Sequence, residues 1–164
     1  MRPFDNALLQ WLRVADMNGY KESLQYLDRF EFNPMSGLHG RFKQAFGVDF
    51  KGKGKIHLTI PGFNIPSDIG APAHTSDLQW HVVASSYNIA ENTPYGSVRG
   101  YAQRPFVRGT VASQNVTLDF DIRKSTLTVL VVALRYIAFR KRKTAVVDEP
   151  AWLPTAIVGC CNNG

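Results

Sequence analysis

The sequence predicts a mainly β protein: an antiparallel β-sandwich of six to seven strands preceded by a short helical segment. Three observations lead there. From residue 41 onward apolar side chains recur with period two, and turn-forming Gly, Pro, Asn and Asp interrupt them at short intervals. No strand–helix–strand rhythm appears, which argues against a doubly wound fold. The predicted organisation is a helical segment over 1–33 and a β domain over 34–164.

Each element has its own justification. Phe4, Leu8, Trp11, Leu12 and Ala15 recur at spacings of three and four, one face of an amphipathic helix over 4–15, with Pro3 in its first turn and Asn18-Gly19 as its stop. A second helical pattern places Leu24 and Leu27 on one side and fails at Phe30-Glu31-Phe32-Asn33-Pro34, where alternation and proline end it. Ile56, Leu58 and Ile60 then share one face of a strand, and the turn candidate Asp49-Phe50-Lys51-Gly52 makes 42–48 and 54–60 a hairpin. Residues 61–77 hold Pro61, Pro66, Pro72, Gly62 and Gly70, which is loop chemistry.

Leu78, Trp80, Val82 and Ala84 mark the next strand, and 98–107 another, with Pro105 placing its end at a sheet edge. Val116, Leu118, Phe120 and Ile122 alternate with Thr117, Asp119 and Asp121. Residues 127–139 are apolar on both faces, as a central strand must be, and are expected to pair with 114–122. Residues 155–159 form a last short strand.

Composition narrows the function. The chain of 164 residues is 45% apolar and 12% aromatic, which excludes disorder, and no run of about 18 apolar residues predicts a membrane span. The start carries no secretory pattern, so a cytoplasmic location is the default expectation. The adjacent Cys160 and Cys161 lack both disulfide and metal spacing and are read as two small apolar residues of a strand. His39, His57, His74 and His81 fall in four separate elements; only a pairing of His57 with His81 across a sheet would bring two together. No metal and no cofactor are expected.

Nucleophile motifs are absent, and Gly52-Lys53-Gly54-Lys55 leads into a strand rather than a helix, so it is a turn and no phosphate cradle. Asp119 and Asp121 share a strand face beside Arg123 and Lys124, the setting of surface ion pairs. A hydrolase using those carboxylates or His57 and His81 is therefore the third reading, and the expectation is a protein that is no enzyme.

The net charge of +6 is unevenly spread. Residues 1–40 carry four basic and five acidic groups, 41–143 fifteen and six, and 144–164 two acids. Three basic clusters stand out: Lys51, Lys53 and Lys55; Arg99, Arg104 and Arg108; and Arg140-Lys141-Arg142-Lys143. The last run, with Arg104 and Arg108 beside Tyr101 and Phe106, is the candidate site for an anionic partner, a nucleic acid or an acidic surface. The helix face of Phe4, Leu8, Trp11 and Leu12 is the candidate interface, since a short amphipathic helix must bury that face somewhere. The first reading is an assembly or protein-interaction module that associates with itself or another protein; the second is a nucleic-acid-binding protein using 140–143.

Three phrases carry a resemblance: Phe30-Glu31-Phe32-Asn33, Ile60-Pro61-Gly62-Phe63-Asn64-Ile65-Pro66 and Ala71-Pro72-Ala73-His74-Thr75. In order and spacing over 27–91, and more loosely over 127–139, the chain resembles a family of uncharacterised Bacteroidetes proteins. It departs from them at Ser76-Asp77-Leu78. The resemblance implies no activity and no catalytic residue.

Overall fold

The computed structural model describes residues 24, 27–51, 54–88, 91, 93–124, 126–140 and 143–163. The protein is mainly β, and its sheets are antiparallel. One short helix, α1 (Leu38–Arg41), precedes ten strands among the described residues. They are β1 (Gly47–Asp49), β2 (Lys55–Ile60), β3 (Phe63–Ile65), β4 (Thr75–Asn88), β5 (Thr93–Pro105), β6 (Gly109–Val111), β7 (Gln114–Asp119), β8 (Thr126–Arg140), β9 (Lys143–Val146) and β10 (Thr155–Asn163). A single 3-10 turn, Pro150–Trp152, lies between the last two.

The largest sheet runs β10-β8-β4-β5, with β9 paired to β8; a second runs β1-β2-β7, and β3 pairs β6. The period-two pattern is expressed as burial. In β2 Ile56, Leu58 and Ile60 are buried while Lys55, His57 and Thr59 face out, and in β4 Leu78, Trp80, Val82 and Ala84 do the same. These side chains share one core with Val116 and Leu118 of β7 and Leu130, Val132, Leu134 and Tyr136 of β8. Between the sheets, Gly100 of β5 packs against Leu118 and Val116, and Gly159 of β10 against Val48 of β1. The closer approach is at Gly100, where a Cβ would lie 2.5 Å from Leu118 against 3.1 Å from Val48 at Gly159.

An aromatic group closes one end of the core. The Phe42 ring meets Phe63 edge-on at 5.2 Å and Phe63 meets Trp80 at 5.7 Å, contacts worth about 0.5–1.5 kcal/mol each beyond burial. Tyr136 donates to the Gly70 carbonyl at 2.7 Å and meets the Trp152 ring edge-on, while the Arg41 guanidinium stacks over Trp152 at 3.9 Å. Burial pushes the Tyr136 hydroxyl well above its ordinary pKa, so it stays a donor.

Several sequence expectations change. Residues 126–140 are the central strand, flanked by β4 and β10, but do not pair with 114–119, which pair β2 in the other sheet. The chain crosses between sheets over 120–125, and alternation carries no information about which partner a strand finds. The predicted loop 61–77 contains β3 and the start of β4, and Phe63 of its Pro-Gly-Phe phrase is a core residue. The strand predicted over 98–107 runs over Thr93–Pro105; Pro105 does end it on a sheet edge. The hairpin of β1 and β2 forms, with β1 confined to three residues.

The helix over 4–15, and with it Phe4, Leu8, Trp11 and Leu12, lies outside the described residues. Leu24 and Leu27 do act together: with Phe30 they cover Leu127, Val129, Val131, Ile157 and Cys160 on the outer face of β8 and β10. Residues 30–32 then run alongside β10, Phe32 N–H donating to Thr155 at 2.8 Å and Ile157 N–H to Phe30 at 2.9 Å.

Candidate functional site

The cover formed by Leu24, Leu27 and Phe30 stops short of β4 and β5. Among the described residues, what it leaves open is a pleated face whose cross-strand rows are set by register. One row holds Arg99, Val83 and Val131; the next Tyr101, His81 and Ala133; the next Gln103, Gln79 and Arg135; the next Pro105, Asp77 and Ile137. Phe139 stands one position further along β8, 57% exposed.

The polar side chains on this face form one connected network. Gln79 Nε2 donates to Gln103 Oε1 at 3.3 Å, and the Tyr101 hydroxyl donates to the same oxygen. Gln103 Nε2 donates in turn to Asp77 Oδ1 at 3.2 Å, and Asp77 Oδ2 accepts from Ser76 at 2.9 Å. His81 Nε2 lies 3.4 Å from Gln79 Oε1. The His81 and Tyr101 rings meet edge-on at 5.3 Å. Partial burial, and secondarily the positive charge of Arg135, hold the His81 imidazole below its ordinary pKa, so it is neutral at physiological pH. Tyr101 is half exposed, and Asp77 is the single carboxylate that β4, β5 and β8 present on this face.

The predicted anion site lies only partly within the described residues. Arg140 pairs with Lys143 across the β8–β9 hairpin, and Lys143 is exposed; Lys141 and Arg142 lie outside the described residues. Arg104 and Arg108 wall one open cleft of about 300 Å³ together with Val107 and Thr110. Strand parity separates Tyr101 from Arg104: Tyr101 faces outward with Arg99, whereas Arg104 follows Gly100 and Ala102 on the core-facing side. Register still brings the two basic stretches to one end of the large sheet, because Asp77 pairs with both Pro105 and Ile137.

Other sequence candidates resolve simply. His57 and His81 stand in different sheets and do not meet; His57 Nδ1 is 3.1 Å from Thr117 Oγ1. Asp119 pairs with Lys55 at 3.6 Å and Asp121 with Arg123 at 3.7 Å, both at the surface, as expected. These pairs flank the other end of β5, where Phe120 lies near Gly96 and Arg123 stacks over Tyr95. Cys160 and Cys161 belong to β10, and burial pushes their thiols up to about 12 and about 11. An open groove of about 460 Å³ beside them is lined by Phe46, Val48, Phe50 and Val158. Among the described residues no three His, Cys, Asp or Glu side chains converge as metal ligands, and no helix is long and apolar enough to cross a membrane.

Sequence reasoning missed Gln79, Gln103, Arg135 and Asp77 as neighbours. The available signal was the outward parity of Gln79-Trp80-His81 and Tyr101-Ala102-Gln103; what was lacking was the register that sets them side by side. No family model, no curated protein and no solved structure matches the chain.

Proposed function

We propose that this protein is a non-catalytic, self-associating module, a two-layer β-sandwich that binds a second copy through the edge of β5. The sandwich reading is supported by the common core of the two larger sheets and by the Gly100 and Gly159 contacts between them. The observation that carries the association reading is β5 itself. It runs for 13 residues and pairs with β4 alone among the described strands, leaving a long ladder of backbone donors and acceptors open. At the opposite side of the same sheet, residues 30–32 already lie along β10. A two-fold pairing of β5 with β5 satisfies the open ladder symmetrically.

The non-catalytic reading is supported by the side chains that chemistry would need. Asp119 and Asp121 are engaged in surface ion pairs, both described thiols are held protonated, and the two strand histidines are apart.

Light scattering across a concentration series tests the association, with proline placed separately at Ser97 and Val98. Neighbouring N–H groups on a strand point to opposite edges, so one of these prolines removes only an outward donor. That variant is expected to keep a cooperative melt and become monomeric at concentrations where the parent chain is dimeric. A parent chain that stays monomeric throughout overturns the reading.

A further inference from the structure

We propose that the open outer face of β4, β5 and β8 binds single-stranded nucleic acid, with Tyr101 and Phe139 as stacking platforms and Arg99 and Arg135 as phosphate contacts. The inference is independent of the β5 edge, since it uses outward side chains rather than the backbone ladder. Three features on the same surface support it.

The first is aromatic. Tyr101 is 50% and Phe139 57% exposed, at opposite flanks of the face, with the smaller side chains of β4 between them. Large rings left half in water on a sheet are stacking surfaces that accept any base. The second is charge. Arg99 and Arg135 point from the same face, neither forms an ion pair among the described residues, and the one carboxylate there, Asp77, is already taken by Gln103 and Ser76. Lys143 and Arg108 extend the positive field from the end of the sheet where both basic stretches meet.

The third is readout. Gln79 and Gln103 are held in fixed orientation by the network, with His81 neutral beside them; each keeps one amide N–H outside it, and Gln79 one lone pair, for base edges. A duplex does not fit this chemistry, because its bases are stacked away from the rings and a pleated sheet face does not enter its grooves easily. A sulfated polymer offers charge but no ring to stack.

Fluorescence anisotropy with a labelled twelve-nucleotide oligo-uridine, in 50 mM salt and upward, tests the proposal. Controls are the same length of duplex RNA and dextran sulfate. The expected result is binding to the single strand at least tenfold tighter than to either control. Tyr101→Ala and Phe139→Ala should each weaken it about tenfold. Arg99→Gln should reduce the slope of log affinity against log salt by about one. These side chains are exposed, and unchanged thermal melts of the variants confirm that the fold is retained. Absence of binding in 50 mM salt overturns the proposal. So does equal affinity for the single strand, duplex and dextran sulfate with both aromatic variants unaffected, which is the behaviour of an indiscriminate cationic surface. The edge proline that yields a folded monomer leaves this face intact, so loss of dimerisation and loss of nucleic-acid binding are read separately.

Discussion

Gly100 of β5 and Leu118 of β7 touch across the two larger sheets so closely that a Cβ built on Gly100 lies 2.5 Å from Leu118 Cδ2 and 2.9 Å from Val116 Cγ1. Leu118 is 2% exposed and belongs to the common core. The glycine is therefore a packing requirement here, set by the partner sheet and not by its own dihedral angles.

Gly100→Ala is expected to destabilise the protein by about 1–3 kcal/mol, the usual penalty of overpacking. Combining it with Leu118→Val, which withdraws the crowding methyl, should give a double variant more stable than the sum of the single effects by about 1 kcal/mol. Urea denaturation of the four proteins measures the coupling. Strict additivity would show that the two residues do not share a contact.

Glu31 predicts a local effect. Its carboxylate accepts from the N–H groups of Leu38 at 2.7 Å and His39 at 3.0 Å, the first two residues of α1. Gly37, the residue before the helix, has no side chain to do this. Glu31→Ala is expected to cost about 1–2 kcal/mol, within the range for losing a helix cap, and Glu31→Gln less because one oxygen remains. Chemical denaturation distinguishes the two variants, and equal stability of both with the parent chain would refute the capping role.

His81 predicts the direction of a pH effect. Its folded pKa lies below the ordinary imidazole value of 6.5, so between the two pKa values the unfolded chain binds more protons. Stability from this group is fully present above the unfolded pKa and is lost as pH falls through that value toward the folded one. His81→Gln should flatten this part of the stability profile below pH 6.5, as read by thermal melts at stepped pH. A steeper profile in the variant would contradict the assignment.

The thiols predict reactivity. With Cys160 pushed up to about 12 and Cys161 to about 11, chiefly by burial, almost no thiolate exists at pH 8 in the folded protein. Labelling by a disulfide reagent should be slow in buffer and complete within minutes in denaturing urea. Fast labelling of the folded protein at pH 8 would show that β10 does not bury them.

Local pattern made individual strands legible. The alternation of Ile56, Leu58 and Ile60 and of Leu78, Trp80, Val82 and Ala84 maps directly onto burial. The two-sided apolar run over 127–139 is a central strand for the reason the sequence suggests: the core lies on one face, and Leu24, Leu27 and Phe30 cover part of the other. Partnership was not legible. Leu118 and Leu130 look like neighbours along the chain, yet the short crossover between them puts them in different sheets, and β2 pairs with β7 across more than fifty intervening residues. The candidate face was hidden for the same reason, since Gln79, Gln103 and Arg135 are adjacent only through register. Parity along β5 was readable, and applying it separates Tyr101 from Arg104 without any structure.

The position of β10 bears on synthesis. Over residues 126–133 the side of β8 away from β4 is paired by Thr155–Asn163, whose Ala156 and Ile157 are fully buried; β9 pairs further along. On a translating ribosome, β2, β4 and β8 emerge before that strand does. The nascent chain must therefore carry its most apolar segments, with one flank of β8 unsatisfied, until this segment clears the exit tunnel. A chain lacking Thr155–Asn163 would leave the backbone edge of β8 unpaired over residues 126–133, an open template for aggregation until that strand docks.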